Sequence, residues 1–310
     1  MHSLPRVQTV LYCTVLYETK RSLYPDRVAD SSAADSGCRD SCTHMGKKMT
    51  IEITAPDSPM DMLKDAVLFT GDFKWMFYLC LAGFCAGNAR AILTANKKIN
   101  YFHGCVLMVL VSYGGSTMAA IMCGKPVVFA VNEALVSVCI GVWTAMYFLG
   151  NPDAQGLISL LKNNSIGMLF SSLTYEIMRC HVAINCSLMA QAALSSSMGR
   201  VAIIGPLIAG TLGGCGGGFM PLNKGLDPLS TGLNWRTGSS AINSVWLFLS
   251  LQSPSYKDAI GLSAEWAKVC SIAFFALGPF VDYVLQAQFS IALFGANSNP
   301  LMPPVKRKKA

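Results

Sequence analysis

Two runs of glycine and hydroxyl-bearing residues interrupt apolar stretches of this chain, at positions 112–117 and 213–218. Glycine inside a helix costs roughly 1 kcal/mol relative to alanine. A glycine cluster at membrane depth therefore indicates either close helix contact or a broken helix that lines a polar path. Backbone carbonyls freed by such a break, together with hydroxyl groups, suit a hydrated monovalent cation. The two runs therefore predict ion-conduction chemistry.

The predicted pore or hinge residues combine glycines that bend or thin the helices with hydroxyls that face the path. A second interpretation stays open, because small residues at Gly205, Ala209, Gly213 and Gly217 repeat along one helix face and would let a neighbouring helix approach closely. That face does not explain the glycines between and after them, which favour the pore. The predicted residues are Ser112, Gly114, Gly115, Ser116, Thr117, Thr211, Gly213, Gly214, Gly216, Gly217 and Gly218.

A second site is indicated by charges inside the fourth apolar segment, where Glu176 and Arg179 lie one helical turn apart and Tyr175 precedes them. Charge in hydrocarbon is costly and is usually functional. One interpretation is an internal ion pair, or a helix end at the water boundary. The other is that Arg179 faces a helix or subunit interface, where it binds a lipid head group or guards a polar path. We predict that Tyr175, Glu176 and Arg179 serve in lipid binding or gating.

Other reactive residue types form no recognisable centre in the sequence. Cys38, Cys42 and His44 lack a second ligand pair, so we expect no metal site. Nine of the twelve cysteines lie in or beside apolar segments without CxxC spacing, and we interpret them as small buried hydrophobes. The sequence contains no HExxH motif and no nucleophile elbow. We therefore expect neither an enzyme nor a cofactor.

The composition places these groups in a membrane. Of the 310 residues, 52% are hydrophobic and only 13% are charged, and the mean hydropathy is +0.43. That is too little charge to cover a soluble protein of this size. The net charge of +7 is concentrated in loops and in the C-terminal tail, which indicates membrane topology rather than nucleic-acid binding.

The fold class that we predict is an all-α multi-pass membrane protein with seven transmembrane helices. Three helices per unit is an odd number, so the second unit enters the membrane from the opposite side and the two units form inverted repeats. The cation distribution places the C terminus in the cytosol. The predicted spans are about 67–94, 103–123, 127–149, 166–193, 201–221, 239–253 and 263–293.

These spans divide the chain into three regions. Residues 1–62 are polar and without periodicity, and we expect them to be disordered. The channel domain covers 63–295 and consists of repeat one at 67–149, repeat two at about 166–254 and the seventh helix at 263–293. Residues 296–310 form a basic tail, whose final lysines fit a dilysine retrieval signal or a cluster that binds anionic lipid.

The order of several short segments resembles the trimeric intracellular cation (TRIC) channel family over about 65–295. A glycine-bearing second helix, a charged fourth helix and a glycine-rich fifth helix follow one another as in that family. Tyr175 stands where the family motif has lysine. The segments are Asn96-Lys97-Lys98, Tyr101-Phe102-His103, Ser112-Tyr113-Gly114-Gly115, Gly124-Lys125-Pro126, Val142-Trp143, Tyr175-Glu176-Ile177-Met178-Arg179 and the glycine run at 213–218.

The resemblance implies a homotrimer in the endoplasmic or sarcoplasmic reticulum with one pore per protomer. Its expected function is to conduct potassium ions that balance the charge moved by calcium release. The resemblance also implies contact with membrane lipids, and specifically a phosphoinositide or other anionic lipid near Arg179.

A secondary transporter with the same inverted repeats is the alternative function. It would need a coupling acid that faces the cavity between the repeats, and Glu133 and Asp282 are the candidates in the sequence. Discrete current steps would indicate a channel, whereas saturating flux driven by a coupled gradient would indicate a transporter.

Overall fold

The structure, a computed structural model, describes residues 58–96, 98–149, 165–198, 201–219 and 235–284. Over these residues it is helical, with no strand, in agreement with the predicted all-α class. The predictions for the first 57 residues, for the linker before position 165 and for the basic tail fall outside the described residues.

Ten helices follow one another along the described chain, and a longer helix covers most of each predicted span. Short 3₁₀ turns at Gly71–Phe73 and Gly216–Phe219 and a π-helical turn at Phe248–Gln252 adjoin them. The helices are α1 Pro59–Leu68, α2 Lys74–Ala95, α3 Tyr101–Met122, α4 Val128–Val131, α5 Glu133–Leu149, α6 Ser165–Met198, α7 Ile204–Cys215, α8 Trp235–Leu247, α9 Pro254–Ile260 and α10 Ala264–Val284.

Within the described chain, three helical stretches are long and apolar enough to cross a membrane, Pro59–Ala95, Tyr101–Met122 and Ala264–Val281. Helices α5 and α7 are apolar but shorter. Helix α6 is the longest described helix and carries Glu176 and Arg179, both of which are buried. Because α6 packs against α2, α3, α7, α8 and α10, these neighbours shield its charged residues from lipid.

The N-terminal side of the domain begins earlier than predicted. Helix α1 starts at Pro59, inside the segment that we expected to be disordered, because the Ser58 hydroxyl caps it and proline is favoured at the first helical position. Lys64 forms an ion pair of 3.0 Å with Glu265 of α10. Phe69, in the left-handed conformation, ends α1 and separates it from α2. The first span is therefore two helices.

Helix α8 also begins earlier than predicted, at Trp235 rather than near 239. The prediction began this span at about 239 because the residues before it are polar. Instead Thr237, Ser239 and Ser240 are buried within the protein, and the Ser240 hydroxyl donates to the Arg236 carbonyl at 2.7 Å. Their polar groups are satisfied inside the fold, so the helix continues through them.

The described helices share three apolar clusters. The first lies among α2, α3 and α5 and includes Leu81, Met108 and Trp143. The second joins α6, α8 and α10 through Ile184, Leu247 and Phe275 among others, and the third joins α3, α6 and α7 through small residues. Helix α6 contributes to all three clusters and therefore connects the two halves of the domain.

Trp143 anchors the first cluster, and its removal is expected to destabilise the domain. The ring is fully buried and lies directly on the α3 backbone, where a Cβ at Gly104 would collide with it. Its indole N–H donates to the Tyr101 carbonyl at 3.2 Å.

Trp143→Ala should lower the free energy of unfolding by about 3–5 kcal/mol, measured as a loss of thermal stability in detergent. Trp75→Ala, at an exposed tryptophan, is the matched control, and equal losses in both variants would contradict this packing.

Candidate functional site

The two glycine runs meet where α3 crosses α7. A Cβ at Gly115 of α3 would collide with the carbonyl oxygens of Leu212 and Gly213, and a Cβ at Gly217 would collide with the carbonyl oxygen of Val111. Both glycines are therefore needed for the backbones to touch. The interpretation that small residues permit close helix approach is correct for Gly217, and Gly115 on α3 allows the same approach from the other side.

The first glycine run does not break its helix, which corrects the prediction. Helix α3 is continuous from Tyr101 to Met122, because Gly115 serves the helix crossing rather than a bend. The helix ends at Met122, and Gly124, two residues later, has a left-handed φ of 61°. The second run does change the backbone. Helix α7 ends at Cys215 and the chain tightens into the 3₁₀ turn that begins at Gly216.

A cavity of about 50 Å³ lies at this crossing. Its walls come from α2, α3, α6, α7, the 3₁₀ turn and α8, so it brings together most of the elements singled out in the sequence. The predicted residues that line it are Ser112, Gly115, Gly213, Gly214, Gly217 and Gly218, and on α6 Tyr175 and Arg179.

The other predicted hydroxyls lie outside this cavity. Ser116 and Thr117 donate hydrogen bonds to the Tyr113 carbonyl at 2.9 and 2.8 Å, and Thr211 donates to the Leu207 carbonyl at 2.8 Å. Each hydroxyl therefore satisfies a carbonyl of its own helix rather than facing the path. Gly114 is buried in α3 and is not a lining residue of the cavity in the described chain.

Ser112 is the predicted hydroxyl that does line the cavity, and Asn88 of α2 holds it. The Asn88 amide donates to the Ser112 hydroxyl oxygen at 3.1 Å, and both residues are buried. The sequence interpretation missed Asn88. An asparagine in the middle of the apolar α2 segment was the available signal, since a buried amide requires a partner.

Glu176 and Arg179 form an internal ion pair of 2.8 Å, with exposed fractions of 1% and 3%. The pair is fixed from two neighbouring helices. On α8 the Trp235 indole N–H donates to the Glu176 carboxylate at 3.2 Å, and Arg179 donates to the Ser239 hydroxyl. On α10 the Phe275 ring lies 4.7 Å from the Arg179 guanidinium carbon. The alternative of a helix end at the water boundary is therefore wrong, and the internal pair is correct.

Tyr175 belongs to a stack that the sequence did not predict. Its ring lies against Phe84 of α2, with centroids 4.9 Å apart and an interplanar angle of 25°. On α8 the guanidinium carbon of Arg236 lies 5.0 Å from the Tyr175 ring centroid. All three residues line the cavity. The sequence analysis did not single out Arg236, so it missed the place of this residue at the site.

Comparison with solved structures places this arrangement among known folds. A structure from a study of conductance through TRIC cation channels aligns with a TM-score of 0.52 at 15% sequence identity, covering 77% of this chain and 100% of that one. A trimeric intracellular cation channel from C. elegans, solved in the absence of Ca²⁺, aligns with a TM-score of 0.50 at 16% identity, covering 74% and 98%. The chain has the fold of the TRIC cation channels. No protein-family model and no curated protein matches the sequence.

The alignments with this chain span nearly the whole length of both structures. Since their sequence identity to this chain is low, the likeness concerns the path of the backbone and not individual side chains. The roles of Arg179, Arg236 and the glycines must therefore be argued from their contacts in this chain.

Proposed function

We propose that the chain is a cation channel that conducts potassium across an intracellular membrane. The observation that carries this proposal is the cavity at which the glycine runs of α3 and α7 meet. The cavity lies between the second helices of the two proposed repeats, which is where transport sites occur in inverted-repeat proteins. The TRIC fold supports the same function.

The C-terminal end of α7 supplies the chemistry for a cation. Helix α7 ends at Cys215 beside the cavity, and the 3₁₀ turn Gly216–Phe219 that follows interrupts the α-helical pairing of its last carbonyls. The partial negative charge of a helix C terminus favours a positive ion. Carbonyl oxygens of this kind replace the hydration shell of potassium in other channels.

The cavity is narrow in this structure, since about 50 Å³ has room for only a few water molecules. Conduction therefore requires the α3–α7 crossing to open. The crossing is held by backbone contacts at Gly115 and Gly217, without interlocking side chains at those two points. Small movements of α3 against α7 would widen the cavity and expose the terminal carbonyls of α7.

The remaining parts of the proposal come from the resemblance and from the sequence. They are a homotrimer with one pore per protomer, a location in the endoplasmic or sarcoplasmic reticulum with a cytosolic C terminus, and a counter-ion current during calcium release. An anionic lipid near Arg179 also belongs to the proposal. Because Arg179 is buried and paired with Glu176, such a lipid would act beside the pair rather than replace Glu176.

The transporter alternative finds less support. Glu133 is exposed at the start of α5 and is not a lining residue of the cavity, and the Asp282 side chain lies outside the described residues. Among the described residues, Glu176 has a carboxylate that contacts a cavity-lining residue, and that residue is its ion-pair partner Arg179. A transporter would need an acid at this site that can gain and lose a proton freely, and the ion pair with Arg179 favours the charged form of Glu176.

A flux assay in liposomes tests the proposed function. Vesicles that contain the purified protein and potassium chloride are diluted into a solution in which an impermeant organic cation replaces potassium. Potassium efflux down its gradient, without any added substrate and without a proton or sodium gradient, is the expected result. Efflux that occurs only with a coupled ion or a second substrate would contradict the channel and favour the transporter.

A further inference from the structure

Two arginines line the cavity, Arg179 and Arg236, and they differ in how closely a carboxylate approaches them. Arg179 is 3% exposed and its guanidinium is neutralised by Glu176 at 2.8 Å. Arg236 is exposed, and in the part of the chain that the structure describes no carboxylate lies within ion-pair distance of it. Arg236 is therefore the cavity-lining arginine that reaches the surface, at the mouth of the cavity, and Glu176 compensates its charge less than that of Arg179.

The position of the Arg236 guanidinium is defined by aromatic rings instead. The guanidinium carbon lies 5.0 Å from the centroid of the Tyr175 ring, and the Tyr175 ring is also stacked on Phe84. Gly87 of α2 lies close to the Tyr175 ring, because a Cβ there would come within 3.0 Å of Cδ2. Residues of α2 and α6 thus form a platform on which a residue of α8 is held.

We infer that Arg236, held on Tyr175, is the residue that limits cation entry into this cavity. This inference rests on the proposed cation-channel function. A fixed positive charge at the mouth repels each potassium ion that approaches. At a separation of ~6 Å in water-like surroundings the repulsion lowers the local potassium concentration about threefold. Because Glu176 lies within ion-pair distance of Arg179 and not of Arg236, Arg236 supplies the larger part of this repulsion.

The contact between Arg236 and Tyr175 is not required by the α3–α7 crossing, and a role in cation entry accounts for it. Neither Tyr175 nor Arg236 takes part in the backbone contacts of Gly115 and Gly217. A fixed charge at one end of a pore also makes the inward and outward currents unequal, because only ions that enter from that end meet the barrier first. Weak cation–π contact, unlike a salt bridge, leaves the guanidinium able to move away when the crossing opens.

Single-channel recording of the full chain in planar bilayers tests this role with a charge-removing variant. Arg236→Gln should raise the unitary potassium conductance about threefold at low salt. The difference should largely disappear at 1 M potassium chloride, where the screening length falls to about 3 Å. Arg236→Lys keeps the charge and should retain the low conductance at low salt. Arg90→Gln removes an α2 charge that does not line the cavity and should leave the conductance unchanged.

The outcomes separate this inference from the function on which it rests. Wild-type potassium current with a conductance that Arg236→Gln leaves unchanged at every salt concentration would overturn the role of Arg236 alone. An equal rise in Arg90→Gln would also overturn it, because the effect would then come from general surface charge. Absence of cation current in the wild-type protein would overturn both the channel and this inference.

Discussion

Replacement of Gly218 by leucine is expected to reduce potassium flux by roughly tenfold or more while the protein still folds. Gly218 lines the cavity, and nothing lies within 4 Å of the position that its Cβ would take. The leucine side chain can therefore enter the cavity without displacing a helix. A space with room for a few water molecules cannot hold that side chain and a hydrated ion together. Flux in liposomes and the elution profile of the detergent-solubilised protein measure the two effects.

Two other glycines provide the controls for this variant. Gly141 of α5 also has nothing within 4 Å of its Cβ position but lies outside the cavity, so Gly141→Leu should conduct normally. Gly217→Leu should lose both conduction and correct folding, because its side chain would collide with the Val111 carbonyl. Normal potassium flux through well-folded Gly218→Leu protein would show that ions pass elsewhere.

Removal of the carboxylate at Glu176 is expected to destabilise the protein strongly. Glu176→Gln leaves the Arg179 guanidinium buried without its counter-charge, and breaking a buried ion pair from one side costs about 3–5 kcal/mol. Thermal unfolding in detergent should show a large loss of stability. Glu133→Gln, at an exposed acid on α5, is the matched control and should leave stability nearly unchanged.

A double variant separates charge pairing from local packing at the same position. Replacing both partners, as in Glu176→Gln with Arg179→Met, removes the uncompensated charge and should recover most of the lost stability. If the double variant were as unstable as the sum of the two single variants, the ion pair would not be what these residues contribute. Loss of current with recovered stability would show that the charges of this pair are needed for conduction as well as for folding.

The helical class and the location of the site were predictable because they depend on residue types that have few explanations in a membrane. Glycine runs at 112–117 and 213–218 and the charges of Glu176 and Arg179 are unfavourable in lipid, so their presence pointed to contacts or to function. The structure brings residues of both glycine runs, with Tyr175 and Arg179, to one cavity.

What the sequence did not predict depends on tertiary contacts. Whether Ser116 faces a path or its own helix is decided by the α3–α7 crossing, and the periodicity carries no information about it. The start of α8 was placed too late because Thr237 and Ser239 are polar, although neighbouring helices bury them. The contact of Arg236 with the Tyr175 ring joins two helices that are distant in sequence, so no sequence pattern indicates it.

The central claim is that the cavity between α3 and α7 belongs to a potassium-conducting pore. Single-channel recording of the wild-type protein in planar bilayers under asymmetric potassium chloride tests it most directly. The account predicts discrete current steps that reverse near the potassium equilibrium potential. Current that reverses near the chloride potential, or a bilayer that stays silent across voltages and calcium levels while liposomes show substrate-coupled uptake, would contradict it.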